Sequence, residues 1–480
     1  MYDVTVIGAG IVGTSIVRKL AKYKLKTILI DKENDVSNGT TKANSGIVHA
    51  GYDCKPGTLK AEMNVRGNEM YEQICLDLDV PFKKIGSLLV AFNQNDLKIL
   101  ETLKKQGEVN GVQGLQIISK EEVFNREPNV SREVIAALYA PTAGIVGSYE
   151  LAIALAENAA DNGVEILLNS PVTTIVKKED RFVVTAGERQ IESKFLINCA
   201  GVYADEINNL INQPYFKIEP YVGEYNLFDK TTGNFFNTIV FQPPSQKGKG
   251  VVALPTVEGN FLMGPTIEGP KERSDVRTSK NGLAEVLEKG KKIVPNFPFQ
   301  TVITSFAGLR AKVAKNDFII EEPPDCPRFI NVAGIDSPGL TAAPAIAEKV
   351  IEIVKKRMGL LEKNSMFIKT RRPVVRFERL SNQAKATQIE KDVNYGRVIC
   401  RCETITEGEI VDIIHRNAGA TTVDGVKRRI RAGCGRCQGG FCAPRVIEIL
   451  ARELNVDPLS IVKDGQNSYF LKGETKRGTE

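Results

Sequence analysis

Five of the nine cysteines lie close together near one end of the chain, at Cys400, Cys402, Cys434, Cys437 and Cys442. The other four, Cys54, Cys75, Cys199 and Cys326, are scattered. Scattered cysteines usually serve as small core residues. Two close pairs, Cys400-x-Cys402 and Cys434-x-x-Cys437, can instead offer four thiolates to one metal centre. The spacing alone suits zinc and a [2Fe–2S] cluster equally. At the other end stands Gly8-Ala9-Gly10-Ile11-Val12-Gly13, a GxGxxG motif directly after the apolar run 2–7. Gly8 permits a tight turn, Gly10 lets backbone approach a pyrophosphate, and Gly13 lets a helix pack on a sheet. The helix start then offers free N–H groups and a positive dipole end. Asp31, followed by Lys32, falls where an acid should accept hydrogen bonds from a ribose.

The stretch from Gly39 to Gly51 is small and polar and follows closely. Its Thr40, Thr41, Asn44, Ser45, Gly46 and Ile47 can wrap a phosphate and lie against a flat ring. It also carries His49, one of only two histidines in the chain. Arg310 and Lys312 lie in Ser305–Lys312. On a strand they point the same way, and two cations on one face favour a dianionic phosphate over a lone carboxylate. Lys312 reads equally as a solvated surface lysine. Tyr225, in Gly223-Glu224-Tyr225, is a pocket candidate or an ordinary buried strand tyrosine.

The elements that must position these groups follow from periodicity. Residues 2–7 and 27–30 read as buried strands flanking a helix over 13–22, a βαβ unit. Helices are expected over 59–78, 149–162 and 340–356, and strands over 87–92, 164–168, 172–177, 181–186, 194–198 and 329–333. Residues 215–311 read as mostly antiparallel β-structure with a helix near 280–293. A charged, poorly periodic stretch, 358–395, reads as a connector. The Lys427-Arg428-Arg429-Ile430-Arg431 run reads as a counter-charge for an anionic cluster, a dock for an acidic partner, or a solvated helix face. The 480 residues, 42% hydrophobic and 25% charged, suit a multidomain globular protein. A net charge of +6 without a dense basic–aromatic patch speaks against nucleic-acid binding. No apolar run is long enough to span a membrane, and the first strand leaves no room for a signal peptide, so a cytoplasmic chain, peripheral at a membrane only through a partner, is expected.

These motifs together resemble the D-amino-acid oxidase-like superfamily of FAD-dependent oxidoreductases over about residues 1–355. The resemblance implies FAD, with Val172 at the adenine, Ala200-Gly201 beside the flavin, Gly308 near it, and Gly339-Leu340-Thr341 opening a helix towards it. It places His49 under the isoalloxazine as a general base, a covalent attachment point, or a structural histidine. It makes Arg310 the holder of the substrate anion. A second GxGxxG is missing, so a separate NAD site is not expected.

The cysteines of 398–450 resemble the bacterioferritin-associated ferredoxin type of [2Fe–2S] domain and the C-terminal domain of anaerobic glycerol-3-phosphate dehydrogenase A subunits. The first pattern uses Cys434 and Cys437, the second Cys437 and Cys442, so five cysteines compete for four positions. The implied architecture is α/β plus α+β. A Rossmann-type FAD-binding domain (about 1–80, 145–212 and 300–357) interleaves with an antiparallel substrate domain (about 81–144 and 213–299). A helical [2Fe–2S] domain spans 396–455, and a tail 456–480. The implied activity is oxidation of sn-glycerol 3-phosphate. Electrons would leave through the cluster to a protein partner, an NADH-linked flavoprotein or a membrane-anchor subunit. L-2-hydroxyglutarate or proline-type dehydrogenases, and a non-catalytic electron-transfer subunit, are the alternatives.

Overall fold

The computed structural model describes residues 1–243 and 250–473. The expected substrate-domain residues 244–249 and tail residues 474–480 lie outside the described residues.

The first sheet is built on Tyr2–Ile7, whose last four residues are fully enclosed. It pairs in parallel with Thr27–Ile30 on one side and Arg189–Asn198 on the other. Glu165–Leu167 extends one edge and Phe329–Ala333 the other, both in parallel. Such strands need cover on both faces, so they read as continuous apolar runs rather than alternating ones. Helices Ile11–Leu20, Ser148–Asp161 and Gly339–Met358 supply that cover in one core with Ile16, Leu29, Ile197 and Ile346. An antiparallel hairpin, Val172–Lys177 and Phe182–Ala186, continues from Arg189–Asn198.

The second sheet has eight strands, with Val302–Lys312 at one edge and Gln116–Ser119 at the other. Its pairings are antiparallel except Ile239–Phe241 beside Ser87–Ala91, which is parallel. Strand Val302–Lys312 pairs along Glu219–Phe228 and therefore belongs to the substrate sheet, although it was expected with the FAD-binding parts. Gly308 on this strand passes so close to the Thr40–Ile47 loop that a Cβ there would sit 1.9 Å from the Ala43 carbonyl. The two sheets thus meet over that loop.

The C-terminal domain carries helices Glu407–Ile414, Val423–Ile430 and Ala443–Leu454 and the short strand pair Val398–Cys400 and Ile405–Thr406. Its own core gathers Ile410, Val426 and Leu450. The expected connector is more ordered than its composition suggests. It holds the helix Asn382–Lys391 and a buried Arg371, whose guanidinium meets Glu157 at 2.7 Å. Glu157 also receives Arg416 of the C-terminal domain at 2.9 Å. The basic run 427–431 is not a solvated helix face, and only Lys427 and Arg431 place charge near a clustered cysteine, Cys434. Arg428 and Arg429 turn inward onto the buried Asp35, and Arg431 bonds Glu403. Asp35 comes from far along the chain, so Arg428 and Arg429 clamp the small domain to the FAD-binding domain, whereas Glu403 lies within the small domain itself.

Candidate functional site

A cavity of about 750 Å³ runs between the two sheets. Gly8, at φ +106°, opens it; a Cβ there would sit 2.3 Å from the Cys199 carbonyl. A Cβ on Gly13 would sit 1.9 Å from the Gly8 carbonyl, so this glycine serves helix packing as expected and does not line the cavity. Gly8, Gly10, Ile11 and Val12 line it, and the N-cap residue Gly10 brings no capping side chain of its own. The Thr41 hydroxyl accepts from the Ile11 N–H at 3.0 Å and so ties the phosphate turn to the following loop.

Asp31 accepts from the Ala9 N–H at 2.6 Å and the Glu33 N–H at 2.8 Å while facing the cavity. Burial pushes its carboxyl up to about 6 against the pull of those two bonds. Lys32 lies beside it, its ammonium 3.9 Å from the Tyr203 ring centroid. Val172, Ala200 and Gly201 line the same end. Thr40, Asn44, Ser45 and Ile47 line the middle, where Asn44 accepts from the Gly46 N–H and shapes the turn. Gly46 itself faces the Val146 carbonyl rather than the cavity. Gly308, Gly339 and Leu340 close this part, and the helix from Gly339 also lacks a side-chain cap. These surfaces fit a dinucleotide: glycine-lined backbone at an open helix start, a carboxylate acceptor beyond it, and a long trough between.

His49, Tyr225 and Arg310 also line the cavity, with Tyr225 near Arg310. The His49 backbone is held from three sides. Its N–H donates to the Thr341 hydroxyl at 2.9 Å, and its carbonyl accepts from Asn64 and Asn68. Thr341 is therefore a buried support behind the cavity and not part of its lining. Asn64 and Asn68 were missed from sequence, although their i, i+4 spacing on helix Leu59–Asp77 puts both amides on one face. The Tyr225 ring stacks on Phe306 at 4.9 Å, and burial pushes its hydroxyl up despite nearby Arg310. Arg310 bonds only the carbonyls of Val222 and Thr266, at 3.5 and 3.3 Å. It has no acidic partner among the described residues. Gly223 makes room for it, since a Cβ there would lie 2.8 Å from both terminal nitrogens.

Lys312 does not join Arg310. It is absent from the cavity wall, with its ammonium 4.6 Å from the Tyr221 ring centroid. A strand advances about 3.3 Å per residue, so two residues carry the side chain beyond the rim. Phe241, Val252 and Ile267 also line the cavity and were not expected. They come from separate strands and turns with no local motif.

The five clustered cysteines sort into two pairs and one outsider. The Cys402 and Cys437 sulfurs lie 3.8 Å apart. The Cys400 and Cys442 thiols hydrogen-bond each other, which brings Cys400 down to about 6 and pushes Cys442 up. Backbone N–H groups converge on these sulfurs: Gly433 and Glu403 on Cys400, Cys437 on Cys402, and Gly439 and Phe441 on Cys437. Donors aimed at sulfur favour thiolates and tune a cluster's potential. Cys434 instead turns to the Lys427 carbonyl at 3.9 Å, and burial pushes its thiol up. Among the described residues no three His, Cys, Asp or Glu converge as a single-ion site. Two thiol pairs suit two irons.

Residues 3–353 match the family described as "DAO: FAD dependent oxidoreductase", and residues 398–452 the "BFD-like [2Fe-2S] binding domain". A protein of Caloramator mitchellensis named glycerol 3-phosphate dehydrogenase is 52% identical over 476 residues, covering 99% of each chain. Glycerol 3-phosphate oxidase of Mycoplasma genitalium is 34% identical, covering 74% of this chain and 95% of its own. The solved structure of dithionite-reduced L-alpha-glycerophosphate oxidase from Mycoplasma pneumoniae with FAD bound superposes with a TM-score of 0.74. It is 32% identical and covers 78% of this chain and 99% of that one.

Proposed function

Because the chain belongs to the FAD-dependent oxidoreductase family and carries a BFD-like [2Fe–2S] domain, we propose that it oxidises sn-glycerol 3-phosphate to dihydroxyacetone phosphate. Arg310 carries the reading: an arginine facing the cavity with no acid among the described residues to neutralise it awaits an anion from outside. When bound, FAD supplies a two-electron hydride acceptor and the [2Fe–2S] cluster a one-electron outlet. Arg310 holds the phosphate, and Tyr225 lies beside it at the cavity wall. His49 takes the proton from the C2 hydroxyl as the C2 hydrogen leaves. Thr341, Asn64 and Asn68 fix the backbone that carries it. Phe241, Val252 and Ile267 present apolar surface that excludes water from the cavity. Cys400, Cys402, Cys437 and Cys442 hold the cluster. The outlet implies an electron-accepting protein, and no described helix is long and apolar enough to cross a membrane.

The displacement of Lys312 favours a second reading. A single guanidinium suits a carboxylate as well as a phosphate, and L-2-hydroxyglutarate dehydrogenases are among the relatives, such as that of Homo sapiens at 26% identity. The test is an anaerobic visible spectrum of the purified chain with sn-glycerol 3-phosphate or L-2-hydroxyglutarate. Rapid flavin bleaching by the first alone supports the proposal, and by the second alone replaces it. His49→Gln should lower kcat by about 10²–10⁴ with little change in KM; unchanged turnover would remove His49 as the base.

A further inference from the structure

The cysteine cluster lies at the surface of the C-terminal domain. Cys402 is exposed and Cys437 half-buried, whereas Cys400 and Cys442 are buried. Between Cys437 and Cys442 stands Phe441, 87% exposed. Its backbone N–H bonds the Cys437 sulfur, so this aromatic ring is held beside a cluster ligand while facing solvent. A large apolar side chain exposed at a functional centre marks a contact surface.

Charge surrounds it. Arg401, between Cys400 and Cys402, is exposed and forms no ion pair with a described residue. Arg436, before Cys437, is exposed and reaches Asp229 at 3.0 Å. Arg445, three residues after Cys442, is exposed and pairs with the equally exposed Glu448. Exposed pairs of this kind leave most of their field in place. Three exposed arginines thus stand within three residues of the ligands, against one exposed glutamate. The remaining nearby acids are buried, Glu403 under Lys230 and Arg431 and Glu407 under Arg397 and Arg452.

We infer that Phe441, with the Cys402–Cys437 edge and the arginines 401, 436 and 445, forms the docking surface for an acidic protein carrying a one-electron redox group. The inference rests on the electron outlet proposed above and names the face it uses. Its aromatic centre and cationic rim match the anatomy of a transient interface, the rim steering an acidic partner and the centre bringing its redox group against the exposed sulfur edge. Each glycerol phosphate oxidised releases two electrons. They cross one at a time and reduce two ferric haems when the acceptor is a cytochrome.

The test uses the holoenzyme and acidic cytochrome b5, with basic cytochrome c as the contrast. Zinc-porphyrin cytochrome b5, redox-silent in the dark, reports binding by fluorescence anisotropy. Phe441→Ala, Arg401→Glu and Arg445→Glu should each weaken binding roughly tenfold, and added salt should weaken it in the parent. The same variants should slow ferric cytochrome b5 reduction by photoreduced enzyme, while reduction of a small dye and the visible spectrum stay unchanged. Photoreduction needs no substrate, so failure of sn-glycerol 3-phosphate to bleach the flavin would count against the substrate alone. Parent-like binding by all three variants, or preference for cytochrome c, would overturn the inference. So would self-association abolished by Phe441→Ala without cytochrome b5 binding, which assigns the face to a second copy.

Discussion

Asp35 is one of two buried acids, with Glu157, that hold the C-terminal domain. Its carboxylate accepts from Arg428 at 2.9 Å and from Arg429 at 2.9 and 2.7 Å, and all three side chains are buried. Asp35→Asn keeps the shape and removes the charge. Breaking a buried ion pair from one side costs about 3–5 kcal/mol, because the other charge is left uncompensated. Here Arg428 keeps Asp464 at 2.6 Å, and Arg429 keeps the carbonyls of Ala418 and Gly425. Those residual acceptors place the expected cost at the lower end, about 3 kcal/mol. With a urea slope of about 1–3 kcal/mol/M, the unfolding midpoint should fall by about 1–3 M.

The assay is urea titration of the holoenzyme, read by the cluster's absorbance at wavelengths longer than the flavin bands so that only this domain's transition is followed. A pH series adds a second readout. Burial alone would raise the Asp35 carboxyl, but Arg429 and Arg428 outweigh it and hold the group below its ordinary value. The unfolded chain then binds more protons than the folded one. The stabilisation is complete above about pH 4 and drains away as pH falls through the lower folded value. Asp35→Asn should lack that acid limb. A midpoint within about 0.3 M of the parent, or an unchanged acid limb, would refute the idea that this pair clamps the domains.

Four further outcomes follow from the site. Arg310→Ala should raise KM about a hundredfold or more, since two charge-assisted bonds to an anion are worth about 1.5–3 kcal/mol each; Lys312→Ala should leave KM within about twofold, as expected of a residue outside the cavity. Cys442→Ser should lose iron and the cluster's share of the visible absorbance, whereas Cys434→Ser should keep both; the reverse pattern would exchange the two in the ligand set. Rebinding of FAD to apoprotein should weaken as pH drops through about 6, where the Asp31 carboxyl gains a proton and ceases to be a full acceptor for the ribose. Asp31→Asn should flatten that profile in a fluorescence titration. Raising the salt should loosen cytochrome b5 far more than it shifts the urea midpoint, because exposed arginines are screened and the Asp35 pair is buried.

The local parts of this protein were legible in the sequence because their causes are local. Gly8 and Gly13 are dictated by a turn and a packing contact within one βαβ unit, and the structure uses them in those ways. Buried runs such as Phe329–Ala333 announced their strands through continuous apolar character. The loop from Thr40 to Ile47, with His49, and the distant Arg310 were identifiable by residue type and resemblance, and one cavity gathers them. Charges were a different matter. A basic run such as Lys427–Arg431 looks the same whether it faces water, a partner or an acid 393 residues away, and only the tertiary structure brought Asp35 beneath it. Lys312 shares a strand face with Arg310, but where a cavity ends depends on the opposing wall, which no strand period encodes. The five cysteines posed the same problem. Spacing and resemblance together left two admissible quartets, and neither shows that one thiol turns to the Lys427 carbonyl and the other to Cys400, the contacts that favour Cys442 in the proposed set. Sequence determines what each segment can do by itself. Which partner each polar group finds is decided by contacts between residues far apart along the chain.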